Sequence, residues 1–371
     1  MRTRAALIAP VLAVALAAAA CGGSDDGTTT GSGSNEQGME NGVVVRMDGE
    51  SVDDYVERLY QAAQDEDGCV FYTPAQEKEV TAIRKYWGET FPEVDIELTS
   101  GGTDQILQRA IVEAQSGNTQ ADAMQVSTSE STLMDDEGIL LNYRPANEEF
   151  SDPALVNPDV PWVTDFYLTF HVAYNTDNVD PSELPTDFEG FTEPRWKGKI
   201  AIDLSAVEWT AGLIEQFGEE QATDLLKGLA DNDVLLVEGS TNRTEQLSAG
   251  QFDVMLDGYG HALKRFVDEG APIAVADPQP EPVTQVLAGT TIFKDAPHPN
   301  CARLISEFML MKPGQQVYAD QNKAGARTAG DAIGNPYEEF FGGVEPLALG
   351  PDVDFDKARQ ILEDVVVRNN S

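Results

Sequence analysis

The feature that most narrows the folds open to this chain is an alternation, repeated from Ser51 to Val126, of short apolar runs with amphipathic stretches. Ser51 to Asp65 places Val52, Tyr55, Val56, Leu59, Tyr60 and Ala63 at helical spacing with acids between them, behind a serine suited to cap the first turn. Cys69-Val70-Phe71-Tyr72 reads as a buried strand, and Thr73-Pro74-Ala75-Gln76 breaks it into a helix carrying Val80, Ile83, Tyr86 and Phe91. Val94 to Leu98 alternates as a strand, Thr103 to Ser116 is helical through Ile106, Leu107, Ala110 and Ile111, and Ala121 to Val126 is the next strand. Strand–helix alternation of this kind implies right-handed crossovers and a parallel sheet covered on both faces, hence an α/β fold.

Beyond a Pro-rich stretch from Pro145 to Trp162, the strand pattern at Asp165 to Tyr174 can carry the chain into a second lobe. That lobe holds strands at Ile200–Ile202, Val234–Val237 and Phe252–Leu256, with helices at Trp209–Phe217, Glu219–Leu229 and Thr241–Ala249. Val283 to Leu287 crosses back, Asn300 to Met311 is again an amphipathic helix, and Asp354 to Asn369 closes the chain. The expected division is a first lobe of residues 43–165 plus about 285–330, and a second of about 166–284 plus about 331–371.

The amino terminus reads as an export signal. Arg2 and Arg4 precede an apolar run from Ala5 to Ala20, which is too short to span a bilayer. Ala18-Ala19-Ala20-Cys21 resembles a lipobox, with Ala18 where leucine is usual, so residues 1–21 are expected to be a lipoprotein signal ending at a lipidated Cys21. The Gly, Ser, Asp and Thr of residues 22–42 suit a flexible tether to a membrane. Cys69 and Cys301 remain, and the sequence leaves open a disulfide or two buried thiols.

With 64 acidic against 24 basic residues the formal net charge is −40, a surface that repels phosphate backbones and excludes a nucleic-acid partner. No P-loop, dinucleotide fingerprint, H-E-x-x-H or G-x-S-x-G is present, and the three histidines, His171, His261 and His298, have no paired-ligand spacing. No catalytic residue, resident metal or cofactor is expected.

Several segments, taken together, carry a family resemblance. Leu59-Tyr60-Gln61-Ala62-Ala63, Val70-Phe71-Tyr72-Thr73, Gly101-Gly102-Thr103-Asp104 and Ala121-Asp122-Ala123 resemble the opening of ABC-importer solute-binding proteins of the ferric-iron-binding, type II periplasmic group. Pro194-Arg195-Trp196-Lys197-Gly198-Lys199-Ile200, Ala249-Gly250-Gln251-Phe252-Asp253-Val254, Gly270-Ala271-Pro272-Ile273 and Ala296-Pro297-His298-Pro299-Asn300 continue it in order. The resemblance implies two α/β lobes joined by crossing hinge strands, solute held between them, and permease and ATPase partners. It departs at the ligand set. Where the group has consecutive tyrosines this chain has Asp257-Gly258-Tyr259-Gly260-His261, and Gln76 and Ser127 stand at the histidine and glutamate positions.

The expected ligand contacts are therefore Tyr72, Thr73, Gln76, Ser127 and Thr128 from the first lobe, and Trp209, Thr210, Ser240, Asn242, Arg243, Asp257, Tyr259 and His261 from the second. Ser240 to Arg243 opens a helix, whose free N–H groups favour an anion on which Arg243 could close. The leading expectation is a monomeric lipoprotein that captures a small anionic or polar solute and delivers it to a permease, without chemistry of its own. Ferric iron or an iron complex is the alternative within the family. An exported metal-assisted hydrolase using His171, His261 and Asp257, and a sensor or adhesion domain, are the alternatives outside it.

Overall fold

The computed structural model describes residues 38–368. Cys21 and the signal lie outside the described residues, as does the tether up to residue 37. The tether's last residues are ordered, contrary to expectation: β1 (Met39–Glu40) pairs antiparallel with β2 (Val43–Val44). Asn41 and Gly42 between them both have positive φ, the requirement of a tight two-residue hairpin turn.

The first half then alternates as its apolar pattern dictates. α1 (Val52–Ala63) is capped by the Ser51 side chain, which accepts from Asp54 N, and leads to β3 (Cys69–Thr73). α2 (Glu77–Thr90), β4 (Ile96–Ser100), α3 (Thr103–Gln115), β5 (Ala123–Ser127) and α4 (Thr128–Asp136) follow. β6 (Trp162–Asn175) is long enough to leave this half and enter the next. There the order is β7 (Ile200–Ile202), α5 (Val207–Phe217), α6 (Glu219–Asp231), β8 (Leu235–Leu236), α7 (Ser240–Ser248), β9 (Val254–Tyr259), α8 (Gly260–Asp268) and β10 (Ile273–Val275). β11 (Thr284–Ile292) returns, and α9 (Pro299–Leu310), α10 (Lys312–Ala319), β12 (Ala324–Gly325), β13 (Leu347–Ala348) and α11 (Phe355–Leu362) complete the chain.

One sheet runs through both halves in the order β4-β3-β5-β11-β6-β9-β7-β8. It is mixed rather than wholly parallel. β3 pairs parallel with β4 and β5, and β7 with β8 and β9, but β11 is antiparallel to both β5 and β6, and β6 to β9. The antiparallel pairs are those the crossing strands make, because β11 runs back against β6. Gly289 marks a register shift in that pair; a Cβ there would sit 1.8 Å from the Val163 carbonyl oxygen, so only glycine permits the approach. One main core gathers Leu59, Phe71, Ile83, Trp87 and Phe308, and the other gathers Trp196, Trp209, Leu226, Leu256 and Phe355.

A buried polar chain ties the crossing strands to the first half. Thr73 Oγ1 donates to Gln125 Oε1 at 2.7 Å, Gln125 Nε2 to Tyr318 Oη at 3.0 Å, and Tyr318 Oη to Asp165 Oδ2 at 3.4 Å, which also accepts from Thr290 Oγ1 at 2.6 Å. Asp165 Oδ1 is buried without a partner, and burial pushes the carboxyl up to about 8, outweighing both hydroxyl donors. An acid whose pKa is raised on folding contributes most stability below its unfolded value and loses it as pH rises through the folded value. Urea unfolding is therefore expected to show stability falling between about pH 5 and 8, with a flatter fall in Asp165→Asn. Equal slopes in the two proteins would mean that Asp165 is ionised in the native state.

Candidate functional site

Between the two halves lies a cleft of about 430 Å³ at which six helices, α2, α3, α4, α5, α7 and α8, begin. The local sequence explains why: each helix follows a strand or a short turn after one, so its first turn opens at the strand's carboxyl edge. Unpaired N–H groups and the positive dipole ends of these helices make the cleft favourable to negative charge despite the acidic surface around it.

Two carboxylates face each other there from opposite halves. Ser127 and Glu130 form a capping box at the start of α4, in which Glu130 Oε2 accepts from Ser127 N at 2.7 Å and from its hydroxyl. Ser127 Oγ lies 2.9 Å from Ser129 Oγ, and Ser129 Oγ donates to Glu208 Oε1 across the cleft at 3.2 Å. Burial in the cleft wall, and then the Glu130 charge, push Glu208 up to about 7. Tyr259, the residue before α8, packs its ring 4.5 Å from Phe170, and burial followed by the Glu208 charge holds its phenol well above the usual range. Burial, then the charges of Lys323 and Arg265, push His261 down to about 3, and its Nδ1 is buried without a partner.

Basic groups occupy other parts of the wall. Lys323 Nζ bonds Glu79 Oε2 at 2.7 Å and sits 4.7 Å from the Phe166 ring centroid. Arg265 reaches Thr241 Oγ1 at 3.4 Å, and Lys78 is exposed at the start of α2. Among the described residues, no group of three or more His, Cys, Asp or Glu is arranged to hold a metal ion.

Of the expected contacts, Gln76, Ser127, Ser240, Tyr259 and His261 line this cleft. The others do not. Tyr72 donates to Glu113 Oε2 at 3.0 Å under the Arg109 guanidinium, and Thr73 is buried in the polar chain behind the wall. Thr128 donates to the Leu287 carbonyl at 3.1 Å and borders a separate cavity of about 140 Å³. Trp209 packs edge-on against Phe188 in the second core, with Thr210 buried beside it, and Asn242 bonds Glu238 O at 3.1 Å on an exposed face.

Arg243 requires the largest correction. It is 0% exposed, and its guanidinium is spent on Asp203, the Val237 carbonyl at 3.1 Å, the Asp257 carbonyl at 3.1 Å and Met255 Sδ at 3.0 Å. Asp257 faces it from 3.5 Å and is equally buried, so neither residue is offered to a solute. The suggested hydrolytic set fails with it: His171 bonds Thr169 Oγ1 at 2.7 Å and stacks on Phe341, Asp257 serves Arg243, and only His261 reaches the cleft.

Sequence reasoning missed Glu130, Glu208, Lys323 and Arg265. The Ser127-x-x-Glu130 capping box was a readable signal for the first. Nothing local marks the other three, which tertiary packing brings to the cleft.

Residues 134–339 match the family described as "Bacterial extracellular solute-binding protein". Iron uptake protein A1 of Synechocystis is 23% identical over 295 residues, covering 71% of this chain and 80% of that protein. Iron-bound HitA from Pseudomonas aeruginosa superposes with a TM-score of 0.70 at 19% identity, covering 80% of this chain and 99% of that one. A Trichodesmium protein in complex with iron and citrate gives 0.64 at 20% identity, covering 80% and 96%. AfuA from Actinobacillus pleuropneumoniae, with fructose-6-phosphate bound, gives 0.61 at 19% identity, covering 82% and 96%. With its cleft between two halves and this match, the chain has the type II periplasmic-binding-protein fold and belongs to the bacterial extracellular solute-binding proteins, the extracytoplasmic, non-enzymatic ligand-capturing components of ABC importers.

Proposed function

We propose that this protein captures ferric iron as a complex with an organic anion and presents it to a membrane permease. The observation that carries this reading is the meeting of Glu130 and Glu208 from opposite halves, next to Tyr259, in a cleft ringed by helix N-termini. Two facing carboxylates repel each other until a cation comes between them, and a hard ion such as Fe³⁺ prefers anionic oxygens. Three protein oxygens leave an octahedral ion short of ligands, so an anionic chelator completes the shell. The helix N-termini, Lys78, Lys323 and Arg265 are the groups suited to hold that chelator. The likeness to iron uptake protein A1 and to the iron-bound and iron–citrate-bound structures supports the same reading.

The lobes in this reading are residues 43–165 with about 285–330 and 166–284 with about 331–371, and binding draws them together. Ferric citrate at ~100 times its dissociation constant is expected to add about 2.7 kcal/mol to apparent stability. Glu208→Gln and Tyr259→Phe are each expected to weaken ferric citrate by roughly 10- to 150-fold in calorimetric titration, the loss of one charge-assisted contact. Citrate binding as tightly without iron would overturn the metal and favour the second reading, an organic anion alone. That second reading draws on the helix N-termini and on the sugar phosphate bound by AfuA.

Among the described residues no helix is long and apolar enough to cross a membrane. In this reading the domain is anchored by lipid on Cys21. Cys21→Ala is expected to move the protein from the membrane to the soluble fraction or leave an uncleaved precursor; unchanged processing and membrane association would reject the anchor.

A further inference from the structure

Two helix starts from opposite halves meet beside a crossing strand. Ser129 stands in the first turn of α4 and Glu208 in the first turn of α5, and Ser129 Oγ donates to Glu208 Oε1 at 3.2 Å. Both helices rest on β11. Thr128 Oγ1, next to Ser129, donates to the Leu287 carbonyl at 3.1 Å, and a Cβ on Gly212 of α5 would sit 2.1 Å from Thr284 Oγ1, so that helix lies directly on the strand. On either side of the bond the halves stand apart. The cleft of about 430 Å³ opens on one side; on the other, a groove of about 710 Å³ separates Leu133 and Asp136 of α4 from Phe355 and Arg359 of α11, a helix packed into the second core. Both partners are held in place. Ser129 Oγ lies 2.9 Å from Ser127 Oγ, itself fixed by the capping box with Glu130, and Val207, Trp209 and Thr210 around Glu208 are buried.

We infer that the Ser129–Glu208 bond is a latch: it holds the two halves at the angle seen here before solute arrives, and solute exchanges when the halves part and the bond breaks. Donor and acceptor both belong to the chain, so the contact needs no solute to form. Because it spans the halves through two helix starts braced on one strand, a wider angle between them at β11 has to lengthen it. A net hydrogen bond of this kind shifts a two-state equilibrium by about 2- to 12-fold. The bond also offsets the repulsion between Glu130 and Glu208 that bringing the halves together creates, and Arg359 of α11 adds positive charge at the same place. The latch acts whichever solute the cleft takes, so it stands apart from the iron-complex reading.

The experiment joins small-angle X-ray scattering of the mature chain without solute to stopped-flow kinetics with ferric citrate. Ser129→Ala is expected to enlarge the radius of gyration of the solute-free protein, and Ser129→Thr, which keeps the hydroxyl, to restore the wild-type value. Saturating ferric citrate should bring Ser129→Ala back to the dimensions of the loaded wild type. In stopped flow, Ser129→Ala should raise the association and dissociation rate constants together, each by about 2- to 12-fold, so that affinity changes less than either rate. A serine that only touched the solute would change dissociation alone, and one that only supported α4 would lower the melting temperature and leave both rates as they were. An unaltered radius of gyration in Ser129→Ala overturns the latch, as do rate constants that fail to rise together. If ferric citrate does not bind the wild type, the iron-complex reading fails, and the scattering of the solute-free proteins alone decides the latch.

Discussion

Arg243→Ala is expected to destabilise the ligand-free protein by about 3–5 kcal/mol, a large share of the roughly 5–15 kcal/mol that ordinarily separates folded from unfolded protein. The guanidinium is fully buried and is the counter-charge of two carboxylates on different strands' ends, Asp203 after β7 and Asp257 on β9. Burial raises the Asp257 carboxyl, and Arg243 works against that shift. Burial also pushes on Asp203, but there Arg243 and the Ser205 donors prevail and hold it below the usual range. Removing the arginine leaves both acids in a region of low polarity with their main partner gone, which costs far more than the pair contributes over an apolar replacement. Chemical denaturation of the apo protein measures this directly. Adding Asp257→Asn to Arg243→Ala should recover part of the loss, because one stranded charge is then removed. A melting curve unchanged by Arg243→Ala, together with weakened solute binding, would restore the arginine to the cleft.

That reversal shows where a sequence stops being legible. Ser240-Thr241-Asn242-Arg243 announces a helix start, and α7 does begin at Ser240 at the edge of the cleft. Which face of α7 carries Arg243, however, depends on acids distant in sequence, and only the sheet order β9-β7-β8 brings them under that helix. The fold itself was readable because its signals are local: the Ser51 cap, the apolar runs at β3 and β5, and the glycine after α1 each act within a few residues. The antiparallel crossing strands escaped that logic, since strand direction in a sheet is set by partners far along the chain. At the site the same division holds. Gln76, Ser127, Ser240, Tyr259 and His261 stand at strand ends or helix starts, where ligands are expected in an α/β sheet, and all five line the cleft. Lys323 follows Asn322, whose positive φ turns the chain back after α10, and it reaches the cleft through its pairing with Glu79, a contact no local pattern encodes.

The bond between Cys69 and Cys301 yields the second large effect. Cys69 opens β3, Cys301 lies in the first turn of α9, and both are buried in the first core. A covalent link across 232 residues of sequence removes much of the unfolded chain's freedom, a contribution of about 5 kcal/mol on the chain-entropy account, with measured losses for native bridges of about 2–5 kcal/mol. It suits a protein exported to an oxidising compartment. Two buried thiols would behave differently, because replacing each would cost only its own packing and the two costs would add. With the bridge, Cys69→Ala or Cys301→Ala alone already breaks the link, so the double variant should be scarcely less stable than either single one. All three should lie about 2–5 kcal/mol below wild type by urea unfolding without reductant. Dithiothreitol should lower the wild-type midpoint to near that of the double variant and leave the double variant where it was. Additive single losses, with no response of the wild type to reductant under unfolding conditions, would show that the cysteines are unlinked.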